Sequence, residues 1–201
     1  MLSDLPNVLT LSRVVAVPVL VALVAWRTPV GDALACLLFI AAGITDYFDG
    51  KLARSRHQLS ELGRMLDPIA DKLLVGASLM VLAAFARLPY ATLYPAIIIL
   101  CREILVSGLR EYLASFRAKL PVTRLAKWKT GFQMTAIGFL LAGDSTAVLL
   151  RIDWLPVGAL GAVMMWVAAL LTLITGWDYV ITGLQHIESQ APKPMDGRIV
   201  H

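Results

Sequence analysis

Long apolar runs, each closed by a short polar break, organise this chain. A bilayer-spanning helix needs about 20 residues, and six runs reach that length. They predict helices from about Val8 to Trp26, Asp32 to Arg54, Glu61 to Phe85, Tyr90 to Phe116, Leu125 to Ala142 and Leu155 to Leu184. Arg27-Thr28-Pro29 ends the first run, Arg87-Leu88-Pro89 the third and Gly143-Asp144-Ser145 the fifth, with proline or glycine where the backbone must turn. The Pro-containing stretch after His186 predicts a flexible tail. The expected organisation is one helical domain over 1–186 and a tail over 187–201. Asp4 and Pro6 stand where a signal peptide would be basic, and Arg13 interrupts the first run, so that helix is expected to be retained.

Composition moves the reading from a soluble bundle to a membrane protein. Apolar residues make up 58% of the chain and charged residues 16%, against about 45–50% and about 25% in soluble domains. The expected fold is all-α and integral to the membrane, with six transmembrane helices. Arg27, Arg87 and Arg151 lie in the breaks on one side, whereas Lys51, Arg54, Arg56, Arg117, Lys119, Arg124, Lys127, Lys129, Lys193 and Arg198 lie on the other. The positive-inside rule makes the second side cytoplasmic, together with both termini. The net charge of +4 includes no basic tract with interleaved aromatics, which excludes a nucleic-acid footprint. Cys36 and Cys101 sit in apolar runs and are expected as small buried hydrophobes. Trp26, Trp128, Trp154 and Trp177 read as anchors at the membrane interface, and Trp166, at mid-span, reads as a packing residue. Gly158-Ala159-Leu160-Gly161 predicts a close helix seam.

Four aspartates stand against this apolar background. Asp46 and Asp49 lie three apart near the end of the second run, and Asp67 and Asp71 four apart early in the third. At 3.6 residues per turn each pair shares a helix face. A short turn joins the two runs, so the helices are expected as antiparallel neighbours with converging acidic faces. Ionisable groups at membrane depth are expensive and mark function, and four clustered carboxylates cannot all stay ionised without cations. Ion pairs with Arg54, Arg64 and Lys72 would account for one aspartate but not for two face-matched pairs beside glycines. No His or Cys joins them, so the oxygen-only set favours a hard cation such as Mg²⁺, Mn²⁺ or Ca²⁺ over zinc. Four carboxylates suit two ions, the arrangement that clamps attacking and leaving oxygens in phosphoryl displacement. Gly50, Ala53 and Gly63 leave room for a ligand near the backbone, and Arg54 can meet a phosphate.

The stretch Asp46-x-x-Asp49-Gly50-x-x-Ala53-Arg54, followed after eight residues by Gly63-x-x-x-Asp67-x-x-x-Asp71, resembles without departure the signature of the CDP-alcohol phosphatidyltransferases. The resemblance implies that Asp46, Asp49, Asp67 and Asp71 surround two Mg²⁺ or Mn²⁺ ions, with Asp71 also the general base for an acceptor hydroxyl. It implies that the CDP part of the donor, CDP-diacylglycerol, contacts Asp46, Asp49, Gly50, Ala53, Arg54, Gly63 and Asp67. It further implies a homodimer among membrane lipids, in a bacterial inner membrane, with the active site facing the cytoplasm.

The signature leaves the acceptor open. Arg102 and Arg110 are eight apart in the fourth run, two turns along one face, and Lys127 and Lys129 open the fifth. Two face-matched arginines and a lysine suit a phosphate dianion. Pairing with Glu103 or Glu111, or snorkelling to the interface, would explain the same residues. A phosphate-bearing acceptor favours glycerol 3-phosphate or inositol phosphate over serine, choline or ethanolamine. Over about residues 5 to 185 the chain is similar to the bacterial branch of the family whose acceptor is glycerol 3-phosphate. Pro6-Asn7-Val8-Leu9-Thr10-Leu11-Ser12-Arg13, Arg102-Glu103-Ile104, Leu109-Arg110-Glu111, and Lys127-x-Lys129-Thr130 with Gln133-Met134 carry that likeness. It implies that Arg102, Arg110 and Lys127 hold the acceptor phosphate, with Thr10 and Arg13 close by. The implied reaction converts CDP-diacylglycerol and glycerol 3-phosphate to phosphatidylglycerophosphate and CMP. The competing expectations are a same-family synthase taking inositol phosphate or phosphatidylglycerol, and an acid-lined cation transporter. The acids cluster at one membrane face rather than through the span, which weighs against a transporter.

Overall fold

The computed structural model describes residues 5–56, 61–89, 91–115 and 124–190. Six helices follow one another in chain order: α1 Leu5–Ala25, α2 Pro29–Arg56, α3 Glu61–Ala84, α4 Leu93–Ser115, α5 Arg124–Leu149 and α6 Val157–Gln190. Each apolar run of the sequence is one helix, and no strand occurs among the described residues. α6 runs on to Gln190, past the expected boundary at His186.

The helices close into a ring. α1 packs against α2 and α3, α2 against α5, α5 against α6, α6 against α4, and α4 against α3. Among the described residues α2 and α3 both pack extensively on α1; the convergence of their acidic faces falls on residues outside those described. Leu20, Phe39, Leu82, Ile99, Leu141 and Met165 are buried inside the ring. Gly161 sits so close to α5 that a β-carbon there would lie 2.9 Å from Leu140 Cγ, which is the close helix approach the small-residue seam predicts.

The outside of the ring also carries many large apolar side chains. Leu37, Met80, Ile104 and Val163 are 62–68% exposed, and they come from four different helices. A helix that is apolar all round belongs in lipid or in a large core, and contiguous exposed apolar surface of this extent is foreign to a soluble monomer. Two helical spans, Arg124–Leu149 and Val157–Ile181, are long and apolar enough to cross a membrane, and Thr10–Ala25 and Pro29–Thr45 are shorter apolar stretches. α3 and α4 fall below that measure because each carries charged residues that face the cavity described below. Trp26, Trp128, Trp154 and Trp177 are all exposed, and so is Trp166, which faces outward rather than into the bundle. Cys36 is half-buried and Cys101 exposed, both as free thiols, so Cys101 is not the core residue its apolar setting suggested.

The end of the ring away from that cavity is locked by polar contacts. Gly143 breaks α5 with φ 62° and ψ 175°, a conformation that is essentially restricted to glycine. The chain turns there, and Asp144 Oδ1 accepts the Gly158 N–H at 2.9 Å in the first turn of α6, as a capping residue does. Asp32, only 2% exposed at the start of α2, forms an ion pair with Arg87 NH1 at 2.7 Å and accepts from Ser145 Oγ at 2.8 Å. This one carboxylate therefore ties α2 to the end of α3 and to the segment beyond the α5 break. Removing one partner of a buried ion pair costs about 3–5 kcal/mol. Asp32→Ala is expected to lower the thermal unfolding midpoint in detergent accordingly, with Asp32→Leu/Arg87→Met recovering most of the loss.

Candidate active site

At the opposite end, the first half of α3, the second half of α4, the start of α5 and the end of α6 enclose a cavity of about 860 Å³. Asp67 and Asp71 lie one turn apart on α3 and line it. Their side chains are 40% and 42% exposed. Thr10 Oγ1 donates to Asp67 Oδ1 at 2.5 Å, and Arg13 NH2 reaches the same oxygen at 3.3 Å. Thr10 and Arg13 are almost completely buried on one face of α1. Neither is among the residues lining the cavity, because α3 stands between α1 and α4 in the ring. The structure thus places Thr10 and Arg13 against Asp67, behind the wall that faces Arg102 and Arg110.

The other wall is cationic. Arg102 and Arg110 from α4 line the cavity with Lys127 and Lys129 from α5, so all three residues expected to hold an acceptor phosphate share one space with Asp67 and Asp71. Glu103, 6% exposed, sits among the cations. Lys72 Nζ and Lys129 Nζ both pair with it, and Arg102 NH1 approaches to 3.5 Å. Lys72 Nζ is also 3.2 Å from Asp71 Oδ2. An unbroken chain of charges, Asp71–Lys72–Glu103–Lys129, therefore joins α3, α4 and α5. Buried charges persist when they are paired and hydrogen-bonded, and this network meets that condition.

Arg102 is positioned from α6. Its NH2 donates to Thr175 Oγ1 at 3.0 Å, and its guanidinium carbon lies 5.5 Å from the centre of the Tyr179 ring. Arg110 lies 5.6 Å from the same centre. Two buried polar atoms of the wall, Arg102 Nε and Gln133 Oε1, have no hydrogen-bond partner among the described residues. Such atoms call for a ligand or water.

Neither Tyr179 nor the pairing of Glu103 with Lys72 and Lys129 was evident from the sequence. The available signal was a polar stripe: Thr172, Thr175, Gly176 and Tyr179 share one face of an otherwise apolar helix. Asp46, Asp49, Gly50, Ala53 and Arg54 lie on α2, and Gly63 in the first turn of α3; their side chains fall outside the described residues. With two of the four aspartates among those, no group of three or more metal-donor side chains occurs among the described residues.

Oxygen donors one turn apart, facing clustered cations across a cavity at the end of an apolar bundle, are the residue types that phosphoryl chemistry uses. Comparison with known proteins narrows that class. Residues 3–174 match the family model described as CDP-alcohol phosphatidyltransferase, and the chain belongs to that family. It is 42% identical to the CDP-diacylglycerol–glycerol-3-phosphate 3-phosphatidyltransferase of Rickettsia bellii, across 88% of this chain and 93% of that protein. It is 38% identical to the enzyme of the same name from Cereibacter sphaeroides, across 93% of this chain and 98% of the other. A chloroplastic/mitochondrial enzyme of that name from Arabidopsis thaliana is 43% identical across 84% of this chain and 59% of its own length.

Proposed function

We propose that this chain transfers the phosphatidyl group of CDP-diacylglycerol to glycerol 3-phosphate, giving phosphatidylglycerophosphate and CMP. The observation that carries the proposal is a single cavity that holds Asp67 and Asp71 on one side and Arg102, Arg110 and Lys127 on the other. The names of the relatives point to the same donor and acceptor.

In this reading Arg102, Arg110 and Lys127 hold the acceptor phosphate by charge-assisted hydrogen bonds, which presents the free hydroxyl to Asp71. Asp71 takes the hydroxyl proton. The acceptor oxygen bonds to the lipid-side phosphorus of the diphosphate, the bridging P–O bond breaks, and CMP departs with that bridging oxygen. Asp46, Asp49, Gly50, Ala53, Arg54 and Gly63 join Asp67 in holding the CDP moiety. Thr10 and Arg13 fix the Asp67 carboxylate from behind.

Asp67 and Asp71 are all-oxygen donors, part-exposed to the cavity, and fit a hard divalent cation. With Asp46 and Asp49 they would hold two Mg²⁺ or Mn²⁺ ions, whose positive charge offsets that of the diphosphate and the departing CMP. Apolar residues on both faces of the ring support six transmembrane helices. The arginine and lysine bias of the loops supports both termini and the site at the cytoplasmic face, in a bacterium the inner membrane. The expected assembly is a homodimer.

The test is CMP release by purified protein with CDP-diacylglycerol, Mg²⁺ and each acceptor in turn. Glycerol 3-phosphate should support release, and chelation by EDTA should remove it. Release with inositol phosphate or phosphatidylglycerol in its place would reassign the acceptor. Metal-dependent release with no acceptor specificity would remove the role given to Arg102, Arg110 and Lys127.

A further inference from the structure

Arg102 and Arg110 stand eight residues apart on α4, about 12 Å along the helix axis at 1.5 Å per residue. Their guanidiniums nevertheless converge on one side chain of another helix, with Tyr179 within 5.6 Å of both. Tyr179 is 4% exposed and lines the cavity. One turn earlier on the same face of α6, Thr175 accepts from Arg102 NH2. Gly176 leaves the space through which the Arg102 side chain passes. A β-carbon at Gly176 would lie 3.1 Å from Arg102 Cγ and 3.3 Å from its Nε.

Two cations brought together without an anion repel each other, and something must offset that repulsion before substrate arrives. Glu103 engages Arg102 through NH1. The face of an aromatic ring attracts cations within about 6 Å of its centre, more strongly when the pair is desolvated. The Tyr179 ring lies within that distance of both arginines, and the Arg102 side chain is largely buried whereas Arg110 is exposed. The ring attracts cations without presenting a full negative charge that would repel a phosphate.

We infer that Tyr179 is a positioning residue for the acceptor: its ring gathers Arg102 and Arg110 into one phosphate-binding pair, with Gly176 keeping the path of Arg102 open. This rests on the proposed use of those arginines for the acceptor phosphate. The preference for a phosphorylated alcohol is then set partly from α6, a helix that contributes no cation to the cavity among the described residues.

The experiment measures KM for glycerol 3-phosphate, KM for CDP-diacylglycerol and kcat in the intact protein. Tyr179→Leu removes the ring while keeping an apolar side chain and should raise the acceptor KM about tenfold, as the loss of one largely buried cation–π contact, to Arg102, and one exposed contact, to Arg110, implies. The donor KM should stay within about twofold, a split that general loosening of the bundle would not produce. Tyr179→Phe keeps the ring and should recover most of the affinity lost in the leucine variant. Gly176→Ala favours the helix while displacing Arg102, and should raise the acceptor KM about threefold without loss of thermal stability. Arg110→Ala, run in parallel, separates the two levels. If it raises the acceptor KM while Tyr179→Leu and Gly176→Ala do not, the role of Tyr179 is overturned and the acceptor site stands. If Arg110→Ala leaves the acceptor KM unchanged, the acceptor site itself is overturned. Should Tyr179→Leu fail to fold, an unchanged acceptor KM in Gly176→Ala would overturn the inference, and an acceptor-selective rise would uphold it.

Discussion

Asp71→Asn is expected to lower kcat for CMP release by about a thousandfold or more, with donor binding largely kept. A positioned general base contributes about 10²–10⁴ in rate, and Asp71 is also expected to share in holding the divalent ions. Asparagine keeps the volume and one acceptor oxygen but removes both the charge and the proton-accepting capacity. Asp71 is well exposed to the cavity and paired with Lys72, so its substitution should leave the bundle intact. Asp67→Asn provides the contrast. Asp67 is the partner of Thr10 and of Arg13, whose side chain is 2% exposed. Removing its charge should therefore depress the unfolding midpoint as well as the rate. Turnover of Asp71→Asn within about tenfold of the parent would remove the base from this mechanism.

Glu103→Ala is expected to have the largest effect on stability. Glu103 is buried and meets Lys72, Lys129 and Arg102, which arrive from three different helices. Its removal leaves those cations to repel one another away from water. Breaking a buried charge network from one side costs about 3–5 kcal/mol, a large part of a typical total of about 5–15 kcal/mol. Removing a cation at the same time should restore much of the loss, so Glu103→Ala/Lys129→Met should unfold at a higher temperature than Glu103→Ala alone. A double variant no more stable than the single would mean that lost volume, not unbalanced charge, destabilises the protein. Lys72 links this network to Asp71, so Glu103→Ala should reduce turnover in whatever fraction stays folded.

The six helices were legible because each long apolar run is closed by a short polar break. Their ends were nearly as clear where Gly143, Pro29 or Pro89 forces a turn. The order of helices around the ring was not legible. A short connection suggests adjacency of α2 and α3, but it does not reveal that α1 covers an apolar face of both. Spacing along single helices was enough to pair Asp67 with Asp71 and Arg102 with Arg110, and these four do share a cavity. The position of Thr10 and Arg13 behind Asp67, and the meeting of Lys72 with Glu103 and Lys129, depend on how each helix is rotated against its neighbours. That rotation is a tertiary property, and a lone tyrosine near the end of an apolar helix gives no hint of it.

The ring order differs from the order of synthesis. When α4 has been made, α2, α1, α3 and α4 can form an open arc, with α2 at one end and α4 at the other. The hairpin of α5 and α6 then closes it, α5 against α2 and α6 against α4. Lys127 and Lys129 arrive with α5, and Tyr179 only near the end of α6. On the proposed mechanism, the nascent chain would carry Asp67 and Asp71 long before it has a complete place for an acceptor, and docking of the last hairpin would complete the active site.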